Sequence, residues 1–498
     1  MEILKVEGLT FSYAASHETK KSLNGVSFSA NEGEFIVVSG GTGSGKSTLL
    51  RALKRELCPN GTLSGKITVF GRDRDTLDAK SSAAAIGFVP QHPEEAIVTD
   101  RVSHELCFGL ENLGVAPDTI RRRAAETAAF FGMNEIYSCD TSSLSGGQKQ
   151  MLVLASVMIM RPKLLLLDEP TSELDPISVG SFLSSLSRLN RELGLTIIMA
   201  EHRLEDVLYL ADKMLILKDS ESVFFGDVND AFKKCGQEDL GIHDMPSPVR
   251  LFFETGGDPL TCGKIPLTVR EGRKYITESF GDSTKSLEVP EKPHETEAAL
   301  LMKNVCFRYT RDGRDILKGL DLTVYSGQCV SLVGGNGAGK STCLSAAAGV
   351  LKPYAGKIEV FGKKLSEYKN GSLYTGCVSL LPQNTEACFL YNTVGEELSR
   401  CGYDKSTGID FDFDGLLERH PYDISGGEAQ MLALAKAVSR SPRLLLLDEP
   451  TKGLDGSMKE VMKGVISELK GRGVTILAVT HDIEFAAEIS DTISMLFD

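Results

Sequence analysis

One eight-residue pattern occurs twice in this chain of 498 residues and constrains its fold more than any other feature. The pattern is G-x-x-x-x-G-K-S, and its two copies begin at Gly40 and at Gly334. Each copy lies between an apolar run that favours a buried strand and a run that favours a helix. Glycines at such a turn let backbone N–H groups point at phosphate, while the lysine and serine reach the terminal phosphates and Mg²⁺. The sequence therefore predicts two phosphate loops.

The residues of both loops are the candidate nucleotide contacts. In the first loop they are Gly40, Gly41, Thr42, Gly43, Ser44, Gly45, Lys46, Ser47 and Thr48. In the second loop they are Gly334, Gly335, Asn336, Gly337, Ala338, Gly339, Lys340, Ser341 and Thr342.

A pair of carboxylates follows the most apolar run of each half. The run from Lys163 reads as a central parallel strand and ends at Asp168 and Glu169. Adjacent carboxylates at a strand end are rarely structural, because each needs a partner that offsets its desolvation. We expect Asp168 to hold the Mg²⁺ shell and Glu169 to polarise the attacking water.

Two more residues follow buried strands of the first half. Gln91 ends the run that begins at Ile86, and it can reach Mg²⁺ and the attacking water. His202 follows the run that ends at Ala200, and it can contact the γ-phosphate. Taken alone, each has an ordinary alternative, namely a solvated loop glutamine and a surface histidine.

Two further features suit nucleotide contact. The segment Ser145-Gly146-Gly147-Gln148 opens an apolar helix, so that its hydroxyl and N–H groups form a second phosphate-binding surface at the positive helix end. Tyr13 lies near the end of an alternating strand, and its ring can stack on adenine. The alternatives are a simple helix cap and sheet packing.

The second half repeats these features in the same order, so the unit is duplicated. This repetition argues against most of the purely structural explanations given above for single residues. From the serine of the Ser-Gly-Gly segment to the glutamate there are 24 residues in both halves. The second set of candidates is Tyr309, Gln383, Ser425, Gly426, Gly427, Glu428, Asp448, Glu449 and His481. The candidate metal ligands are Ser47, Gln91 and Asp168 in the first half and Ser341, Gln383 and Asp448 in the second.

Composition excludes several classes of protein. A net charge of −14 argues against a dominant role on nucleic acid, which usually needs a basic face. The 11 cysteines include no C-x-x-C pair, so we expect reduced thiols rather than a disulfide framework or a zinc site. The N-terminus lacks the apolar core of a signal peptide, and the longest apolar run is about half of a membrane span. We expect a chain that does not cross a membrane.

Taken together, these motifs resemble the ATP-binding cassette (ABC) family over nearly the whole chain. The resemblance implies an α/β fold of two tandem P-loop domains, each with a mainly parallel core sheet, a small antiparallel sheet and a helical subdomain. It also implies an ATPase that uses ATP and Mg²⁺. In the family's head-to-tail dimer, Lys46 and Glu169 would face Ser425–Gly427, and Lys340 and Glu449 would face Ser145–Gly147.

The two halves differ in ways that bear on their partners. We predict cassettes at 1–235 and 298–498, joined by an extension and acidic linker at 236–297 whose flexible part begins at Ile276. From the glutamine to the Ser-Gly-Gly serine there are 54 residues in the first half and 42 in the second. In the family this segment touches the membrane partner, so the halves should meet unlike surfaces. Lys452 replaces the serine found at position 172, which leaves equal rates at the two sites in doubt.

Short stretches narrow the resemblance further. The segments after Gln91 and after Gln383, and the extension of the first half, are similar to those of energy-coupling factor (ECF) ATPases. The resemblance implies a peripheral protein on the cytoplasmic face of the membrane that powers uptake of a vitamin, a vitamin precursor or a transition metal. Its partners would be a transmembrane scaffold (T-type) subunit and a small substrate-binding (S-type) subunit, with no substrate contact and no nucleic acid. Another ABC importer, or a soluble tandem ABC protein acting on ribosomes, is the alternative.

Overall fold

A computed structural model describes residues 1–14, 21–172, 174–235, 240, 245–259, 263–281, 297–311, 313–404 and 411–497. The chain forms two compact units, Met1–Ser286 and Leu287–Asp498. The division falls inside the segment 236–297, and each unit contains one phosphate loop. Among the helices of the described ranges, none combines the length and apolar character needed to cross a bilayer.

The first unit contains ten strands and ten α-helices in its described part. The strands are β1 (Glu2–Tyr13), β2 (Leu23–Asn31), β3 (Phe35–Ser39), β4 (Gly61–Val69), β5 (Arg72–Asp73), β6 (Ile86–Val89), β7 (Leu164–Asp168), β8 (Thr196–Ala200), β9 (Lys213–Lys218) and β10 (Glu221–Asp227). The helices are α1 (Lys46–Leu53), α2 (Ala79–Ala85), α3 (Val102–Asn112), α4 (Pro117–Phe130), α5 (Gly146–Met158), α6 (Pro176–Leu193), α7 (Leu204–Val207), α8 (Val228–Cys235), α9 (Ser247–Glu254) and α10 (Val269–Phe280).

A small antiparallel sheet in the order β2-β1-β4-β5 covers one side of this unit. Its strands alternate between buried and exposed side chains, as the sequence predicts for a sheet with one face on the core. The buried face packs with Leu49 and Leu53 of α1 against the main sheet. Helix α1 ends at Leu53, because Lys54 is extended and a 3₁₀ turn follows it.

The main sheet has the strand order β10-β9-β3-β8-β7-β6, and all pairs except β10 with β9 are parallel. Strands β3, β7 and β8 are buried along their whole length, which explains their apolar sequences. The phosphate loop, the acidic pair and His202 follow β3, β7 and β8, respectively. They therefore lie together at the carboxyl edge of the sheet, where open α/β sheets bind ligands.

The segment after β10 belongs to the first unit. Val249, Phe252 and Ile265 lie in the same apolar core as the main sheet. Helix α10 is capped by Thr268, whose side chain accepts from the N–H of Glu271, and it continues to Phe280. The expected flexible linker from Ile276 is therefore wrong over its first five residues, because the capping box and the ring contacts of Tyr275 with Phe252 and Phe280 stabilise a helix there. Of the rest of that linker, residues 282–296 lie outside the described residues.

The second unit repeats this plan. Its strands are β11 (Ala298–Phe307), β12 (Leu317–Tyr325), β13 (Cys329–Val333), β14 (Ala355–Val360), β15 (Lys363–Lys364), β16 (Val378–Leu381), β17 (Leu444–Asp448), β18 (Thr475–Val479) and β19 (Thr492–Met495). Its helices are α11 (Lys340–Ala347), α12 (Val394–Cys401), α13 (Gly426–Val438), α14 (Gly456–Gly471) and α15 (Ile483–Ile489). The sheets have the orders β12-β11-β14-β15 and β16-β17-β18-β13-β19. Between the candidate glutamine and the Ser-Gly-Gly segment, the first unit has the two α-helices α3 and α4, whereas the described part of the second unit has only α12.

Candidate nucleotide-hydrolysis site

The first phosphate loop has the backbone that its glycines allow. Gly45 has a φ of +101°, and a Cβ there would lie 2.4 Å from the carbonyl oxygen of Ser22. A Cβ on Gly40 would lie 2.2 Å from the carbonyl oxygen of Leu217. The Lys46 Nζ donates to the carbonyl oxygens of Gly40 at 2.9 Å and Gly41 at 3.2 Å, so the lysine spans the loop.

The second loop has the same geometry. The Lys340 Nζ donates to the carbonyl oxygens of Gly334 at 2.8 Å and Gly335 at 3.0 Å. Gly339 has a φ of +93°, and a Cβ on Gly334 would lie 2.4 Å from the carbonyl oxygen of Leu496. These positions therefore require glycine, because a side chain there would collide with the neighbouring backbone.

The serine after each lysine meets the aspartate at the end of the acidic strand. Ser47 Oγ donates to Asp168 Oδ1 at 2.8 Å, and Ser341 Oγ donates to Asp448 Oδ1 at 2.9 Å. Burial raises the pKa of Asp168; the hydrogen bond from Ser47 opposes this shift. Burial likewise raises the pKa of Asp448 to about 6. A half-buried hydroxyl and a buried carboxylate at this distance are the hard oxygen ligands that suit Mg²⁺, so these residues fit the metal that the motif implies.

Glu169 lies at the centre of the first site. Its backbone φ of 45° is a left-handed conformation that is unusual for a residue other than glycine. Its Oε1 lies 2.9 Å from His202 Nε2 and 3.7 Å from Lys46 Nζ, and its Oε2 accepts from Gln91 Nε2 at 3.3 Å. Burial opposes ionisation of Glu169, but His202 and Lys46 outweigh it and lower the pKa of this carboxyl.

Glu449 occupies the matching place in the second site with different contacts. Its φ is 51°, and its Oε2 lies 2.8 Å from His481 Nδ1 and 3.3 Å from the donating backbone N of His481. Gln383 is exposed and makes no hydrogen bond to Glu449 among the described residues, whereas Gln91 is half-buried and bonded to Glu169.

The Ser-Gly-Gly segments form helix N-termini. Ser145 caps α5 and Ser425 caps α13, each in a capping box. The side chains of Gln148 and Glu428 accept from the backbone N of the capping serine at 2.9 and 2.7 Å, so they fold back on their own helices. The N–H groups of Gly146 and Gly147, and of Gly426 and Gly427, lie in these first turns.

The two tyrosines approach the phosphate-loop helices from the antiparallel sheets. The hydroxyl of Tyr13 lies 3.0 Å from Thr48 Oγ1, and that of Tyr309 lies 3.1 Å from Thr342 Oγ1. Both rings are exposed, at 41 % and 65 %. An exposed ring that is anchored beside the phosphate loop can stack on a base.

One residue of the first site received no role from the sequence. Glu201 is buried, its Oε1 accepts from the N and Oγ1 of Thr171 at 3.1 and 2.6 Å, and its Oε2 accepts from the N of His202 at 3.2 Å. Thr480 occupies the corresponding position in the second half. This difference between glutamate and threonine, in segments that otherwise match, was the sequence signal that could have pointed to Glu201.

Each unit thus brings together a phosphate cradle, a lysine, a hydroxyl–carboxylate pair for a divalent cation, and a second carboxylate next to a histidine. This set can bind a nucleoside triphosphate and orient water towards its γ-phosphate. The fold and the site define a tandem P-loop nucleotide hydrolase.

Comparison with known proteins gives the family. The model of the family described as ABC transporter matches residues 23–172 and 317–452. A putative ABC transporter ATP-binding protein of Bacillus anthracis is 37 % identical over 99 % of this chain and 90 % of its own length. The chain therefore belongs to the ABC transporter family and is an ATPase with two cassettes.

Two solved structures are similar. An archaeal ribosome recycling factor, aABCE1, in complex with the ribosomal stalk protein aP1 aligns over 95 % of this chain and 84 % of its own, with 20 % identity and a TM-score of 0.59. This likeness shows the tandem fold. The cbiO1 protein of Clostridium perfringens, part of the cbiONQ transporter complex, covers 47 % of this chain and 92 % of its own, with 31 % identity and a TM-score of 0.43.

Proposed function

We propose that this ATPase is the energising subunit of an ECF-type importer for a vitamin, a vitamin precursor or a transition metal. It would act as a peripheral protein at the cytoplasmic face of the membrane. Its partners would be a transmembrane T-type scaffold and a small S-type subunit that binds the substrate. The name of the Bacillus relative, which refers to a transporter, and the similarity of the segments after Gln91 and Gln383 to ECF ATPases support this proposal.

The observation that carries the proposal is a loop before α3, and another before α12, that is hydrogen-bonded to a buried glutamate and has an exposed apolar tip. Buried Glu105 accepts from the backbone N of Val98 at 3.1 Å and of Thr99 at 2.8 Å, while Val98 is 65 % exposed. A loop that is held from inside and presents an apolar side chain to water suits a docking contact.

The second unit has a corresponding loop, which is also bound by a buried glutamate but carries different residues. Buried Glu397 accepts from the backbone N of Leu390 and, at 2.7 Å, from that of Tyr391; Leu390 is 80 % exposed. Lys436 also pairs with Glu397, whereas the corresponding residue of the first unit is Ser156. The two loops therefore differ in their tip residue, Val98 or Leu390, and in the contacts of the glutamate that holds them, which suits an asymmetric membrane partner.

The proposed chemistry follows from the two sites. Ser47 and Asp168, and Ser341 and Asp448, would hold Mg²⁺, which when bound neutralises charge on the β- and γ-phosphates. Glu169 and Glu449 would polarise the attacking water.

The remaining candidates surround the nucleotide in this proposal. His202 and His481 would contact the γ-phosphate, and Gln91 and Gln383 would approach the water and the metal. Closure of the two cassettes head to tail would bring each Ser-Gly-Gly segment to the other unit's nucleotide, and hydrolysis would release the units.

Co-purification tests this function. The tagged full chain is isolated from its own host in mild detergent, and every companion is identified. A polytopic scaffold with a small membrane protein is the expected result. Permeases with an extracytoplasmic binding protein, or ribosomes without membrane protein, would each contradict the ECF assignment.

Matched variants sharpen this experiment. Val98→Glu and Leu390→Glu should each reduce recovery of the scaffold by about tenfold or more, because a charge at the tip opposes apolar contact. Leu193→Glu is the control, since Leu193 is 66 % exposed at the end of α6. Equal loss of scaffold in all three variants would argue against the tips as the docking contacts.

A further inference from the structure

The residue directly before the candidate histidine of each site differs between the two halves. It is Glu201 before His202 in the first unit and Thr480 before His481 in the second. Both side chains are buried, and both backbone N–H groups donate to the end of the strand before the phosphate loop, at 3.1 and 3.3 Å. The backbones match, so the side chain is what distinguishes the two positions.

Glu201 connects the two segments that carry the catalytic pair. Its carboxylate accepts two hydrogen bonds from Thr171, which lies two residues after Glu169, and one from the N of His202. The ring of His202 in turn contacts Glu169 at 2.9 Å. One buried carboxylate therefore fixes the backbone on both sides of the Glu169–His202 contact.

The second unit lacks this connection. Thr480 Oγ1 accepts from the N of Asp482 at 3.0 Å, within its own loop. The hydroxyl of Thr451, which matches Thr171, is buried and has no hydrogen-bond partner among the described residues. The N of His481 donates instead to Glu449 Oε2, the same oxygen that the His481 ring contacts.

We propose that Glu201 is a positioning residue that is specific to the first site. Glu201 accepts a hydrogen bond from the backbone N–H of His202 and also binds Thr171. In the second site the corresponding N–H, that of His481, donates to Glu449 instead. Glu169 consequently keeps its Oε2 free of backbone donors, with Gln91 beside it, where an attacking water must be held. The inference rests on the proposed role of Glu169 as the base, and it makes the two sites chemically distinct.

The test measures single-turnover hydrolysis of prebound ATP by the full chain. Glu449→Gln silences the second site, so that the first site alone is observed; Glu169→Gln gives the reverse background. In the first background, Glu201→Thr should slow hydrolysis by about tenfold, the effect of losing the buried hydrogen bonds that hold Thr171 and His202. ATP affinity should stay within about twofold, because the residue does not contact the nucleotide cradle.

Two further substitutions keep the test sharp. Thr171→Val preserves volume and removes the hydroxyl that Glu201 binds, so it should slow the first site by about threefold to tenfold. Thr451→Val is its matched control in the second site, where the hydroxyl has no such partner, and it should leave the rate unchanged. Glu201→Thr places at 201 the residue that the matching backbone accepts at 480, which makes a folding failure a poor explanation of a slower rate.

Selective slowing of the first site by Glu201→Thr and Thr171→Val, with Thr451→Val silent, supports the proposal. Unchanged first-site hydrolysis in both variants overturns it, as does an equal effect of Thr171→Val and Thr451→Val on their own sites. The base role itself fails separately, if Glu169→Gln leaves hydrolysis at the first site at the wild-type rate. The importer role is tested by co-purification and does not depend on these rates.

Discussion

Ser47 Oγ lies 2.8 Å from Asp168 Oδ1, although 121 positions separate the two residues in the chain. Ser341 and Asp448 form the same contact across 107 positions. In both units the serine lies in the first turn of the helix that follows the phosphate loop. The aspartate ends a strand that lies two positions from the strand preceding that loop in the order of the sheet. The parallel sheet thus brings two candidate Mg²⁺ ligands, the serine hydroxyl and the aspartate carboxylate, together at its carboxyl edge.

The Ser–Asp contact predicts a metal-dependent defect. Ser47→Ala and Ser341→Ala together should raise the Mg²⁺ concentration for half-maximal ATPase activity by about tenfold, because one oxygen ligand is lost. Metal-free ATP binding should change little. Ser185→Ala, on the exposed side of α6, is the control. An unchanged Mg²⁺ titration of the double variant would remove these serines from the metal site.

The proposed base role of Glu169 and Glu449 predicts a separation of ATP binding from turnover. The double variant Glu169→Gln and Glu449→Gln should bind ATP normally, while kcat falls by about 100- to 10,000-fold, since an amide cannot accept the proton of water. Radiolabelled ATP retention and phosphate release measure the two properties. Full turnover in the double variant would show that other groups act as bases.

The surroundings of Gly45 in the first phosphate loop and of Gly180 in α6 predict opposite effects of substitution by alanine. Gly45→Ala should destabilise the protein by about 2 kcal/mol or more, because its Cβ would meet Ser22 O in a left-handed backbone. Gly180→Ala, in an open position within α6, should stabilise it by up to about 1 kcal/mol. Urea unfolding compares them, and a loss of stability in both would contradict the steric explanation.

The environment of Glu201 predicts a pH-dependent change in stability. Burial raises the pKa of this carboxyl from 4.5 to about 7; the hydrogen bond from Thr171 opposes the shift and the charge of Glu169 adds to it. The folded state therefore binds the proton more tightly, and this contribution is complete below about pH 4.5 and lost as pH rises through about 7.

Glu201→Gln removes that titration. Relative to the variant, the wild-type free energy of unfolding should fall by about 2 kcal/mol between pH 5 and pH 8. Denaturant unfolding at both values measures the difference. A constant difference would mean that Glu201 ionises in the folded state as it does in the unfolded chain.

The sequence predicted the strands well where the pattern of neighbouring apolar and polar residues determines them. The fully apolar runs became β3, β7 and β8, and the alternating runs became the antiparallel sheets. The end of the extension was harder to predict. Acidic residues and prolines suggested a linker from Ile276, but the capping box at Thr268 and the packing of Tyr275 extend α10 to Phe280.

The sequence nominated the members of the candidate site but did not indicate their contacts. Lysine, serine, aspartate, glutamate and histidine each follow a recognisable run, and the repetition of these residues made them candidates. The contacts differ between halves that read alike: His202 meets its glutamate through Nε2, whereas His481 does so through Nδ1. Such differences depend on a neighbour like Glu201 or Thr480, whose effect appears only when separate strands lie side by side.

The sequence by itself determined the duplication, the two phosphate loops and the family, because glycine turns and apolar periodicity act through the nearest residues along the chain. Only the tertiary structure decided which distant side chains meet. Ser47 reaches Asp168, and Glu201 joins Thr171 to His202, because parallel strands far apart in sequence end at one edge of a buried sheet.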